Sequence, residues 1–136
     1  MKTRLLFTSL ITASLLLTGL AGCGSKTSTN PTEAAILAYA DPATETTLQG
    51  LSEDSLAKYI QYGNADFKAA VTQQILDQIY SQIKDQLGTY VSKSFLKTEE
   101  YQGYILVHYS VKFSKSSVGV RMVFDSDHLV AGQFFE

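Results

Sequence analysis

The spacing of apolar residues changes at Gly88, and that change restricts the fold more than any other feature. Before it, Ile75, Ile79, Ile83 and Leu87 fall on every fourth position, with Leu76 and Tyr80 beside them and Gln, Asp and Lys between. Such spacing predicts a helix with one buried face and one wet face. After it the period is two. Ile105, Val107, Tyr109, Val111 and Phe113 alternate with Tyr104, Leu106, His108, Ser110 and Lys112, the pattern of a half-buried strand. With its helices ahead of its strands, the chain offers no strand–helix–strand crossovers. The expected fold class is therefore α+β: N-terminal helices packed on one face of a four-stranded antiparallel meander.

Local signals divide the two halves further. A first helical stretch runs from about Thr32 to Gly50. It is either one kinked helix or two short ones, because Asp41-Pro42 supplies a second start signal inside it. A short helix from Ser55 to Tyr62 ends at Gly63-Asn64, and Asn64 or Asp66 caps a further turn carrying Phe67 and Val71. Thr72 opens the longest helix, to Leu87, which is expected to be the chief cover of the sheet; Gly88 stops it in a left-handed conformation. Strands follow at about Thr89–Glu99, Tyr104–Ser114 and Leu129–Phe135, with another between the last two. Lys93 and Lys97 suggest a sheet edge or lysines that lean outward. For strands two and three the pairing Phe113–Val118, Val111–Val120, Tyr109–Met122 and Val107–Phe124 puts both apolar sets on one side.

The amino-terminal stretch carries a separate signal. Lys2 and Arg4 precede an apolar run from Leu5 to Leu17, and Leu20-Ala21-Gly22-Cys23 follows. The run is short and rich in Thr and Ser for a membrane-spanning helix, and it reads as a secretory signal peptide. Its end resembles the bacterial lipobox, which implies cleavage between Gly22 and Cys23 and a diacylglyceryl group on the Cys23 thiol. The expected organisation is residues 1–22 as lipoprotein signal peptide, 23–31 as lipidated Cys and flexible tether, and 32–136 as one α+β domain. Localisation would then be the extracytoplasmic side of a cell membrane, held by lipid. Cys23 is the sole cysteine, so no intramolecular disulfide can form. The 114 residues left after residues 1–22 are enough for one core unaided. They carry nine Lys and Arg against thirteen Asp and Glu, a net charge of −4. That balance argues against nucleic acid as a partner.

Within residues 40–136, Ala40-Asp41-Pro42, Gly50-Leu51, Asp54, Ile83-Lys84 and Leu87-Gly88-Thr89-Tyr90 resemble a bacterial family of unknown function, number 3887. Phe113, Val123-Phe124-Asp125, Val130-Ala131-Gly132 and Phe134-Phe135 carry the same resemblance. It implies a curved sheet wrapped around helices, like nuclear transport factor 2 and cystatin. Members are often lipoproteins, and some are fused to α/β-hydrolases. The family usually has Gly where His128 stands, which implies an exposed turn position with positive φ.

The chemistry-bearing residues are sparse. There is no phosphate-binding Gly loop and no nucleophile-elbow Ser. Asp125, Asp127 and His128 read as turn composition and not as a metal site, since the downstream Glu of a calcium loop is missing. His108 reads as a solvated surface histidine with no carboxylate placed beside it. No cofactor is expected. Tyr39, Tyr59, Tyr62, Phe67, Tyr109 and Met122 either line a conical pocket between helices and sheet or simply fill the core. The leading expectation is a lipid-anchored, non-enzymatic module binding a small apolar ligand or an envelope protein. One alternative is an isomerase- or hydrolase-like enzyme using Asp54, Asp66 or His108 in the cleft. Another is a homodimer formed through the outer sheet face carrying Leu106 and Val123.

Overall fold

The computed structural model describes residues 31–136. The lipobox and Cys23 lie outside the described residues. Four helices come first: α1 (Pro31–Ser52), α2 (Leu56–Tyr59), α3 (Ala65–Ala70) and α4 (Gln73–Gln86). Four strands follow, β1 (Tyr90–Tyr101), β2 (Tyr104–Phe113), β3 (Ser117–Phe124) and β4 (Val130–Phe135), in one antiparallel sheet of order β1-β2-β3-β4. The fold is α+β, as the change of period predicts.

The helix that occupies the centre of the inner sheet face is α1, not α4. It is the longest element, 22 residues against 14, and it runs unbroken through Pro42. Its buried positions Ala40, Ala43, Thr44, Thr47, Leu48, Gly50 and Leu51 recur at helical spacing. Five of the seven are small, which lets the helix lie close to its neighbours. Tyr39 packs edge-on against Phe124 at 5.4 Å. Asp41 does not cap a second helix. Its Oδ1 accepts the Tyr109 hydroxyl at 3.0 Å and pairs with Lys93 Nζ at 2.8 Å. β1 is an edge of the sheet, one of the two placements its lysines suggest, but Lys93 does not lean outward: it turns inward and is only 12% exposed.

Displaced to the flank, α4 leaves its stripe half covered. Leu76 is fully buried, Ile79, Ile83 and Leu87 are half-buried, and Ile75 is 40% exposed. Thr72 caps the helix through the Ile75 N–H, and Gly88 follows its end at φ 88°, the left-handed stop that the sequence predicts.

The β2–β3 register differs by two residues from the expected one: Val111 faces Val118, Tyr109 faces Val120, Val107 faces Met122 and Ile105 faces Phe124. A shift of two keeps every side chain on its face. Its cause is a two-residue turn, Ser114-Lys115, closed by Phe113 N–H donating to Ser116 O at 2.8 Å. The turn is tight because it docks on the end of α4. The Lys115 N–H donates to Leu87 O, and Lys115 Nζ donates to Lys84 O and Asp85 O. A cation thus satisfies carbonyls that the helix end leaves open.

Tyr109, Phe113, Phe124, Val107, Val111, Val120 and Met122 from the sheet meet α1 and Leu76 in one core. Full burial of each aliphatic or Phe side chain contributes about 1.5–3 kcal/mol. At the β4 edge, residues 62–64 close the structure: Val130 N–H donates to Tyr62 O, and Asn64 N–H donates to Val130 O. Asn64, not Asp66, caps α3, accepting the Phe67 N–H at 2.8 Å.

Candidate functional site

Because α4 stands off the sheet centre, a cleft of about 360 Å³ opens between it and the β3–β4 side of the inner face. Ile79 and Ile83 from α4 and Leu87 just past its end form one wall, with Val118 and Phe135 opposite. Tyr59, Gln82, Gln86 and Gln133 supply the polar atoms. No lining side chain is charged. Burial pushes the Tyr59 hydroxyl up to about 12, so it stays a neutral phenol across the physiological range.

Gln133 is the unusual member. A bulge at Ala131, where Phe124 faces Val130 but Val123 faces Gly132, reverses the parity of β4 and turns Gln133 inward. Its Nε2 and Oε1 are both shielded from solvent, and neither has a hydrogen-bond partner. A buried amide left unpaired costs about 1–3 kcal/mol for each orphaned group.

A second depression, about 380 Å³, lies on the opposite face of the sheet. Tyr101, Tyr104, Leu106, Val123 and Phe134 form it, with Arg121 at one end. Tyr101 is 61% and Phe134 49% exposed. Gly132 makes room for the Phe134 ring: a Cβ there would meet ring atom Cε2 at 3.0 Å. Arg121 lies over the Phe134 ring, 5.0 Å from its centroid.

Beside this groove, His108 departs from its expected solvation. It is 7% exposed and held between two carboxylates: Nε2 is 2.8 Å from Glu99 Oε2, and Nδ1 is 3.2 Å from Glu136 Oε2. Lys97 reaches the other Glu99 oxygen at 2.8 Å and Arg121 the other Glu136 oxygen at 3.2 Å. The hydrogen bond from Lys97, then that from His108, holds the Glu99 carboxyl below its ordinary value. Lys97, Glu99, His108, Glu136 and Arg121 thus form one row of polar contacts across the outer face, which reads as a structural clasp between β1, β2, β3 and Glu136.

Of the six aromatic and Met positions proposed from sequence, Tyr59, Phe67, Tyr109 and Met122 are buried in the filled core, and Tyr39 and Tyr62 pack against it. Only Tyr59 also faces the α4 cleft. Burial pushes the Tyr109 hydroxyl well above its ordinary value, and the Asp41 carboxylate pushes the same way. Asp54, Asp66 and His108 line neither depression and lie apart, in the α1–α2 turn, in α3 and in β2. Among the described residues no group of three or more His, Cys, Asp or Glu is placed to hold a metal ion.

The sequence profile described as "Protein of unknown function (DUF3887)" matches residues 44–132. The chain belongs to this family. The DUF3887 match begins inside α1 and ends in β4, so it spans α2 to β3 completely together with the walls Ile79, Ile83, Leu87 and Val118. No curated protein and no solved structure matches the chain. Among the described residues no helix is long and apolar enough to cross a membrane. Of the cleft residues only Tyr59 was named from the sequence as pocket-lining; Ile79, Ile83, Leu87, Val118 and Phe135 were read as core or strand positions, Gln82 and Gln86 as part of the wet face of α4, and Gln133 was not singled out. The one signal for Gln133 was a polar residue in an otherwise apolar closing strand.

Proposed function

We propose that this DUF3887 chain is a lipid-anchored, extracytoplasmic, non-enzymatic module that binds a small apolar ligand in the cleft beside α4. One observation carries the reading: a helix with an apolar stripe faces an apolar sheet surface without closing on it. Exposing that much hydrocarbon to water is unfavourable, and a ligand that fills the cleft removes it from solvent. An enzymatic reading would use Asp54, Asp66 or His108 in the cleft, and none of the three lines it, which favours binding over catalysis. The lipobox at Leu20–Cys23 supports the location, because two acyl chains hold a protein stably at a bilayer.

Two experiments test this reading. Native mass spectrometry of the protein purified from its own host is expected to show a retained small molecule, and Ile83→Lys is expected to abolish it. A ligand-free wild type that also binds no apolar probe overturns the cleft assignment. Labelling of cells with radioactive palmitate is expected to mark the wild type and not Cys23→Ser; equal labelling overturns the anchor.

A second reading rests on the cluster of exposed Tyr101, Tyr104 and Phe134. These rings support a protein contact, including a homodimer, across the outer face. Sedimentation that gives only monomer removes the homodimer.

A further inference from the structure

We infer that the ligand of the α4 cleft is uncharged and carries a primary carboxamide or lactam head, which pairs edge to edge with the Gln133 side chain. This rests on the cleft reading above and adds the chemistry of the occupant.

On one edge of its amide Gln133 presents an unpaired Nε2–H donor and the unpaired acceptor Oε1 side by side; the second N–H lies on the far edge. The complementary group offers a carbonyl and an N–H on the same edge. A primary amide and a lactam do so. A trans peptide bond does not, because its C=O and N–H point in opposite directions. The head group is neutral because no charged side chain lines the cleft to balance an ion. A carboxylate also fails on hydrogen bonding: it accepts from Nε2 but repels Oε1. The rest of the ligand is apolar, to match Ile79, Ile83, Leu87, Val118 and Phe135. Since the amide atoms are shielded from solvent, entry displaces side chains at the cleft mouth.

The pairing makes a counter-intuitive demand. Hexanamide and N,N-dimethylhexanamide share a carbonyl, but the second has lost both N–H donors and gained two methyl groups. If apolar burial alone decides, the dimethyl compound binds tighter. If Gln133 decides, it binds weaker, because Oε1 stays unpaired; a site built to hydrogen-bond discriminates strongly against an analogue lacking the group. Both compounds are titrated by calorimetry into the full-length chain held in phospholipid nanodiscs, with empty nanodiscs as blank. Wild type is expected to prefer hexanamide by at least about tenfold, the factor that one lost hydrogen bond of this kind sets. Gln133→Leu is expected to reverse the order. Should that variant not fold, the wild-type ratio decides alone. A wild type that binds the two equally, or the dimethyl compound better, overturns the head-group inference and leaves the cleft standing. If neither compound binds and the host-purified protein retains nothing, the cleft reading falls and this inference with it.

Discussion

Asp125 shows how one side chain can hold a corner of this fold. Its Oδ1 accepts the N–H groups of Asp127 and Leu129, each at 3.0 Å, and its Oδ2 accepts Asn64 Nδ2 at 3.0 Å. Burial alone would raise the carboxyl, but the hydrogen bonds from Asn64, Leu129 and Asp127 outweigh it and hold it below the usual range. A depressed folded value gives stability that is present above the unfolded pKa of about 3.9 and is lost as pH falls through the folded one. Asp125→Ala is therefore expected to lower stability at pH 7 by about 1–2 kcal/mol, a gap that narrows in acid melts as the carboxyl takes up its proton. Gln133→Leu should act oppositely on the empty protein. Removing an unpaired buried amide is expected to raise Tm by several degrees, read by calorimetry without ligand. His128 was legible from the sequence: it sits exposed in the turn at φ 63° and offsets the strain by stacking on Tyr39 at 4.1 Å. His108 was not legible, because Glu99 and Glu136 reach it from elsewhere in the sheet, and no local pattern places them. Gln133 was hidden for another reason. Strict alternation from Val130 puts it outside, and one bulge residue reverses that.

At the scale of elements, the apolar period announced every strand and helix but misjudged which helix matters most. The stripe of α4 is made of Ile and Leu and stands out, whereas that of α1 is largely Ala and Thr and does not. Yet small residues are what allow a helix to lie at the centre of a curved sheet. The same need for closeness appears where α1 meets α2. Gly50 is buried against the backbone of Tyr59, and a Cβ there would meet Tyr59 N at 2.4 Å. Gly50→Ala forces apart two main chains, not a flexible side chain, so it is expected to cost about 2–3 kcal/mol and lower the urea midpoint. The β2–β3 turn carries a second test. Lys115 Nζ holds two carbonyls at the α4 end, so Lys115→Ala is expected to weaken the helix end by about 0.5–1 kcal/mol. Amide exchange should then quicken over residues 83–88 before anywhere in β2. The two-residue slip between expected and observed register belongs here too. Alternation fixes the face of a strand but not its offset by an even number, which the turn sets.

Across the whole molecule, the elements have two ends. At one, Tyr39 of α1 meets Phe124 and His128, so the start of α1 lies by the β3–β4 turn and the β1–β2 hairpin at Gln102-Gly103. At the other, Lys115 and Leu87 meet, and Val118 opens the cleft. Residues 24–30 span at most about 3.5 Å each, so a lipid on Cys23 would keep the start of α1 at Pro31 within about 25 Å of the bilayer, and Tyr39 about 12 Å further along the helix. A fluorophore at Gln102→Cys is expected to be quenched by spin-labelled phospholipid, and one at Lys115→Cys much less. Equal quenching would mean that the domain lies on its side. Near the first end stand Glu33, Glu100, Asp125 and Asp127, which an anionic bilayer repels. The mouth beside α4 would accordingly look outward, like a cup held upright on a short stalk. Its contents would arrive from the surrounding water rather than by sideways escape from the bilayer.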